Sequence, residues 1–437
     1  MQEKSWRQTY WAVWVANLIT AAGMMSFLPF FPSLLEEMGI RDRDQVALWA
    51  GILFGAAPLS ATFSSPVWGA LGDRFGRRLM VLRAMLAIAF FVGSMYFARS
   101  PWTLLVLRIS QGMFSGFIPP SITLVSISAP PDRQGRVAGD LQTALAIGAM
   151  IGPLVGGAMA AAGRGRQVFL LVAVAAGFSA LLVWLLAREG PVSGSRSTVE
   201  NSPARILKGA VRDIGEVLRQ PVMRGAILLI YALQFGLGST NPLLELHVRH
   251  LLQGAPDTAP GWFQWAVLLP GIDRAQDSGA VALGTSLLFT GMALANLLCL
   301  PLWGRLGDRI GHRRGLRIVA LGSALGLFVQ SFASSYEWLL CGRVIMGASM
   351  AGAGPLAFGL AAAEIAADKR GGAFGVVFSA RTLAVASGGA LGGWLSAWLG
   401  ISGLLLGTAL LLILVLGLFQ SREIGQNAGN GQTRPPS

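Results

Sequence analysis

Twelve apolar runs, parted by short polar or charged stretches, take up most of this chain. They fall near residues 9–35, 46–71, 79–98, 102–126, 137–162, 168–187, 222–248, 281–303, 316–332, 338–363, 373–398 and 401–419. Each holds the roughly 17–25 mainly apolar residues that a helix needs to cross a bilayer. The pattern predicts an all-α membrane protein with twelve transmembrane helices, called spans 1 to 12 below. An even number of spans places both termini on one side.

The chain has 437 residues, of which 53% are hydrophobic and only 13% charged. A soluble domain carries about 25% charged residues. Mean hydropathy is +0.59. A net charge of +13 would suit a nucleic-acid binder, but its distribution speaks against one. Of 34 Lys and Arg, 24 fall on the side of the loop around Asp73, 7 on the other side and 3 within spans. That asymmetry orients spans in a bilayer and puts the Asp73 loop and both termini in the cytoplasm. Only three of the 34 are lysines, a bias of GC-rich bacterial genomes. A bacterial plasma (inner) membrane is therefore expected. The run at 9–35 is too long for a signal-peptide core and reads as an uncleaved first span. Cys299 and Cys341 lie in spans and read as small buried apolar residues, without a disulfide or metal site.

The chain repeats itself. Gly69-Ala70-Leu71-Gly72-Asp73-Arg74-Phe75-Gly76-Arg77-Arg78 returns 235 residues later, from Gly304 through Asp308 to Arg313, with 8 of 10 positions the same or alike. Arg108 matches Arg343, and Pro120 matches Pro355, at the same offset. Pro29 matches Pro242 at an offset of only 213, so the second half carries 22 extra residues between spans 7 and 8. Aromatic Trp262, Phe263 and Trp265 make that insert an expected interfacial helix at 262–269. The repeat divides the chain into a six-span bundle at 1–188, a linker with an amphipathic helix at 189–221, a second bundle at 222–421 and a disordered tail at 422–437.

The pattern G-x-x-x-D-R-x-G-R-R, twice between spans, resembles the signature loop of the major facilitator superfamily. Leu107-Arg108-Ile109-Ser110-Gln111-Gly112 is similar to the R-x-x-Q-G signature of that superfamily's drug:proton antiporters. The stretch with Gly148, Gly152, Pro153, Gly156 and Gly157 resembles the G-x-x-x-G-P-x-x-G-G motif of its exporters. The resemblance implies two pseudo-symmetric six-helix bundles and a non-enzymatic secondary transporter. It would export amphiphilic drugs or toxic small molecules in exchange for protons by alternating access. No cofactor is expected beyond a proton gradient, and a monomer is expected. A porter for one metabolite or sugar would share the fold, but its cavity would be more polar.

Residues on the inward stripes give the expected cavity. Span 1 contributes Asn17, Thr20, Met24 and Phe27, span 4 Arg108 and Gln111, span 7 Gln234 and Asn241, and span 11 Arg381. An arginine inside a span must face water or a partner. Met113, Phe114, Phe235, Met346 and Met350 would add soft apolar surface. Proton coupling needs a carboxylate within reach of both sides. The candidates are Asp140, Glu245 and Glu364, with Arg136 and Arg249 as ion partners for the first two. A cytoplasmic latch is expected from Asp73, Arg77, Arg78 and Asp132. Asp73 would cap the start of span 11 and Arg77 would pair with Asp132. Asp308 and Arg313 are their repeat counterparts.

Overall fold

The computed structural model describes residues 2–130, 133–189, 215, 217–254, 277–365 and 370–429. Every regular element among them is helical. Span 1 is Gln2–Phe27, a 3-10 turn at Leu28–Phe30 and a short helix Phe31–Glu37. Span 2 is Arg43–Phe75, span 3 Arg77–Met95, and span 4 the pair Pro101–Phe114 and Ile118–Ser128. Span 5 is Gln134–Ala161 and span 6 Val168–Leu186. Span 7 is Pro221–Thr240, a 3-10 turn Asn241–Leu243 and Leu244–Gly254. Span 8 is Asp277–Ile310, span 9 His312–Ser331, and span 10 the pair Tyr336–Met350 and Ala353–Glu364. Spans 11 and 12 run through Arg370–Gly429 and part at Gly400, where φ is +68°. Nine helical stretches among the described residues are long and apolar enough to cross a membrane by themselves. One of them, Gly372–Gln420, holds both spans 11 and 12. Span 4 falls short because it breaks after Phe114, and span 9 because Arg313, Arg314 and Arg317 lower its hydropathy.

The helix breaks repeat with the sequence. Pro29 and Pro242 sit in equivalent 3-10 turns, because proline offers no N–H to an α-helical ladder. Gly76 and Gly311 close spans 2 and 8 with φ of +96° and +85°. Each donates its N–H four residues back, to Gly72 and Gly307. Only glycine adopts that conformation without strain, which explains the third glycine of both loops.

The two halves touch toward the end remote from the Asp73 loop. A Cβ on Gly51 or Gly55 of span 2 would overlap the carbonyls of Gly389 and Ala386 on span 11. One on Gly157 of span 5 would overlap Ser286 of span 8. Thr290 on span 8 donates to the Met150 carbonyl of span 5 at 3.1 Å. Toward the other end, Gly69, Gly139, Gly304 and Gly375, one on each of these four spans, have open space where a Cβ would stand. The bundles are thus sealed at one end of the molecule.

The backbone of span 12 stays helical to Gly429, beyond the point where the sequence predicts disorder. The insert helix at 262–269 lies outside the described residues, as does most of the linker helix.

Candidate functional site

Arg108 is almost wholly enclosed, at 2% exposure. Its Nε donates to the Leu53 carbonyl of span 2 at 3.0 Å and its Nη1 to Gln111 Oε1 at 2.5 Å. Gln111 Nε2 reaches Met24 Sδ at 3.3 Å. The guanidinium lies 5.6 and 5.5 Å from the Phe27 and Phe31 ring centres, close enough for cation–π attraction. Met24, Phe27, Arg108 and Gln111, all on stripes expected to line a cavity, therefore meet one another. They form an interior seam between spans 1, 2 and 4 rather than an open wall, because carbonyl and ring surfaces cover the charge. Deeper toward the Asp73 end, Asn17 Oδ1 accepts from Ser121 Oγ at 3.0 Å. Asn17 Nδ2 and Thr20 Oγ1 are buried without a protein partner.

In the second half Arg381 reaches from span 11 to span 7. With the Gln234 amide oxygen turned toward it, that oxygen accepts from Arg381 Nε at 3.1 Å and Nη2 at 3.2 Å. Arg343 Nη1 donates to Asn241 Oδ1 at 2.8 Å. Arg343 is not among the residues expected in the cavity; its match to Arg108 in the repeat is the signal for it in the sequence. Met346 and Met350 are buried in the core of the C-terminal half, packed with Leu356, Leu360 and Val377, so they add no cavity surface.

The three carboxylates fall in different places. Asp140 Oδ2 accepts from the Tyr10 hydroxyl at 3.2 Å, and the Asp140 carbonyl from Trp14 Nε1 at 3.0 Å. The Arg136 side chain is outside the described set. Glu364 pairs with Arg313 at 2.7 Å at the loop end of span 10, and both are partly exposed. Glu245 alone combines burial, at 1% exposure, with a position between the halves. Its carboxylate accepts from the Ser33 N–H at 3.2 Å and from the Ser33 hydroxyl. Arg249 lies 3.5 Å from it, one turn on, as expected. Arg249 also crosses to span 1, where its Nη1 meets Glu36 Oε1 at 2.5 Å.

The exporter-like stretch has a direct packing role. A Cβ on Gly148, Gly152 or Gly156 would run into the backbone of span 1 at Leu18, Ala22 and Ser26. The glycines thus bring spans 1 and 5 to backbone contact, and Pro153 sits in the same stretch. At the first loop, the Asp73 side chain and Asp132 lie outside the described set. Glu189, which sequence reasoning missed, accepts from Arg77 N at 2.6 Å and Arg78 N at 3.2 Å. It caps the start of span 3 in place of any residue of that helix. Arg78 Nη2 also donates to the Trp184 carbonyl. Asp308 is exposed.

Two six-helix bundles around paired buried arginines, with a carboxylate clasp between them, define a multi-pass membrane transporter rather than an enzyme. The family model described as Major Facilitator Superfamily matches residues 13–272 and 260–435, and the chain belongs to that superfamily. It is 30% identical over 351 residues to "Multidrug resistance protein MdtG" of Proteus mirabilis (strain HI4320), covering 79% of each chain. The protein of the same description from Salmonella typhimurium is 28% identical over 346 residues, covering 79% of this chain and 78% of its own. Among solved structures, a bacterial homolog of the human lysosomal transporter Spinster, inward-facing and unoccupied, superposes with a TM-score of 0.70. It is 15% identical and covers 96% of this chain and 97% of its own. The nucleoside transporter NupG gives a TM-score of 0.70 at 12% identity, over 95% of this chain and 98% of its own.

Proposed function

We propose that this protein exports amphiphilic small molecules, drugs among them, in exchange for protons by alternating access. Its place is a bacterial inner membrane, with both termini in the cytoplasm. The likeness to MdtG proteins supports the substrate class. The positive-inside distribution supports the orientation. With that orientation the sealed end is the outer one, and the conformation is inward-facing.

The single observation that carries the coupling is Glu245. It is a buried carboxylate of one half held by Ser33 of the other and shared with Arg249. Taking up a proton removes its charge, weakens both contacts and frees spans 1 and 7 to part. Losing the proton restores the clasp. Asp140 and Glu364 already serve Tyr10 and Arg313 near the cytoplasmic ends, and fit the role less well. Substrate would meet Met24, Phe27, Gln111, Gln234 and Arg381 once the halves rock. The Asp73 loop would latch the cytoplasmic end in the opposite, outward-facing state. Efflux of a dye panel from everted vesicles, with and without a pH gradient, tests the reading. Efflux indifferent to the gradient would remove the antiport mechanism.

A further inference from the structure

Spans 4 and 10 both break along their length. Span 4 stops at Phe114 and resumes at Ile118, and span 10 stops at Met350 and resumes at Ala353. Prolines stand just past each break. Pro119 and Pro120 open the second segment of span 4, and Pro355 lies in the first turn of its counterpart. Each lacks an N–H, and its ring would clash with the carbonyl four residues back in a continuous helix. In an unbroken helix the Phe117 N–H would serve the Met113 carbonyl, and the Gly352 N–H the Ala348 carbonyl. Here Phe117 lies outside both segments, and Gly352 turns to the Ser349 carbonyl at 3.1 Å.

A tryptophan takes each of those carbonyls instead. Trp68 Nε1 of span 2 donates to the Met113 carbonyl at 2.6 Å, and Trp303 Nε1 of span 8 to the Ala348 carbonyl at 2.7 Å. Donors and acceptors are both 235 positions apart, the offset of the repeat. The surroundings differ. Trp68 lies beside Phe114, ring centres 5.7 Å apart, with the Arg83 guanidinium 3.7 Å from its own ring centre. Arg83 Nη2 donates to the Gly116 carbonyl at 3.4 Å, whose helical donor would be residue 120, a proline without an N–H. Trp303 instead lies on the backbone of the break, where a Cβ on Gly352 would come within 2.6 Å of its ring. An indole N–H withdrawn from water takes a nearby acceptor. Chance does not select the same open carbonyl in two bundles whose neighbouring residues differ.

We propose that Trp68 and Trp303 are positioning residues that set the bend of spans 4 and 10. Each indole N–H satisfies a carbonyl that the bent helix leaves open. It thereby favours the bent form over a straighter one in which the helix serves itself. The segments beyond the breaks, Ile118–Ser128 and Ala353–Glu364, end on the side of the Asp73 loop. Their angle therefore sets the width of the mouth at that end. The role in transport rests on the alternating-access reading; the indole brace itself does not.

The test uses the full chain in detergent, with Cys299 and Cys341 replaced by alanine and spin labels on cysteines introduced at exposed sites. Labels at Ile127 and Leu185 place the tip of span 4 against span 6, and labels at Ala363 and Leu414 place the tip of span 10 against span 12. Each pair lies within one half, so rocking of the halves does not move it, and a chain that does not alternate still decides the matter. The segments are roughly 16–18 Å long, so a change in bend of about 15° shifts a tip by about 4 Å. Trp68→Phe should shift or broaden the first distance by about that much and leave the second unchanged. Trp303→Phe should do the reverse. No change at the variant's own span, or an equal change in both, overturns the proposal. Should the phenylalanine variants not fold, benzothienylalanine at each position keeps the double ring and removes only the N–H. The same shifts then support the brace, and unchanged distances overturn it.

Discussion

Ser33 and Glu245 join the two halves of the molecule: the Ser33 N–H and hydroxyl both donate to the Glu245 carboxylate. A buried acid of one bundle thus depends on the other bundle for its hydrogen bonds. Were the bundles to part, the acid would have to find new partners or take a proton, because an unpaired buried carboxylate is costly. In the proposed antiport, this contact is where proton binding would meet conformational change.

The neighbouring pair carries a prediction about this clasp. Arg249 reaches both Glu36 and Glu245, and it is partly exposed. Arg249→Ala should weaken closure of the outer end by about 1 kcal/mol, which is a roughly fivefold shift toward the outward-facing state. Distances between spin labels at the outer ends of spans 1 and 7 would report it. An unchanged distance distribution would show that the ion pair does not hold the end closed.

At the opposite end the latch makes a mirror-image prediction. Asp73→Asn should preserve membrane insertion and substrate binding while enlarging the inward-facing population severalfold. Labels at the cytoplasmic ends of spans 2 and 11 would measure it. The same population in wild type and variant would rule the latch out.

Glu189 supplies a stability prediction. It accepts from the first two N–H groups of span 3. Glu189→Ala should cost about 1 kcal/mol, as loss of a helix cap does. Gly76→Ala should cost at least as much. Its φ of +96° strains any side chain, and the new Cβ would press on the same carboxylate. Thermal unfolding in detergent would show both, with Tm falling in each variant.

Packing of spans 1 and 5 can be tested by adding one methyl group. Gly156→Ala places it against the Ser26 carbonyl and should destabilise by about 1–3 kcal/mol. Gly139→Ala, on the same helix with nothing nearby, should leave Tm unchanged or slightly raised. Equal effects at the two sites would mean that close approach is not what the motif supplies.

Much of this was legible in the chain because membranes impose coarse rules. Spans follow from apolar length; Pro29 and Pro242 were matched in the sequence, and the structure adds that both sit in helix breaks. Helical spacing and the cost of a lipid-facing arginine placed Met24, Phe27, Arg108 and Gln111 on inward stripes of an expected cavity, but not that they close into a seam around the guanidinium. Other features were hidden because they join residues far apart in sequence. Glu189 caps a helix that starts 112 positions earlier, at Arg77. Ser33 meets Glu245 from 212 positions away. Helical periodicity could not separate Met346 and Met350, which are core, from residues facing a cavity, since both stripes are apolar. Arg343 was visible as a repeat of Arg108, but its different partners were not.

The most direct test of the account is proton movement driven by substrate. The purified protein would be reconstituted into vesicles carrying an internal pH dye, and a gradient of a transported dye imposed. Wild-type protein should move protons opposite to the substrate, and Glu245→Gln should move none while still exchanging substrate across the membrane. Proton flux in Glu245→Gln equal to that of the wild type would contradict the account.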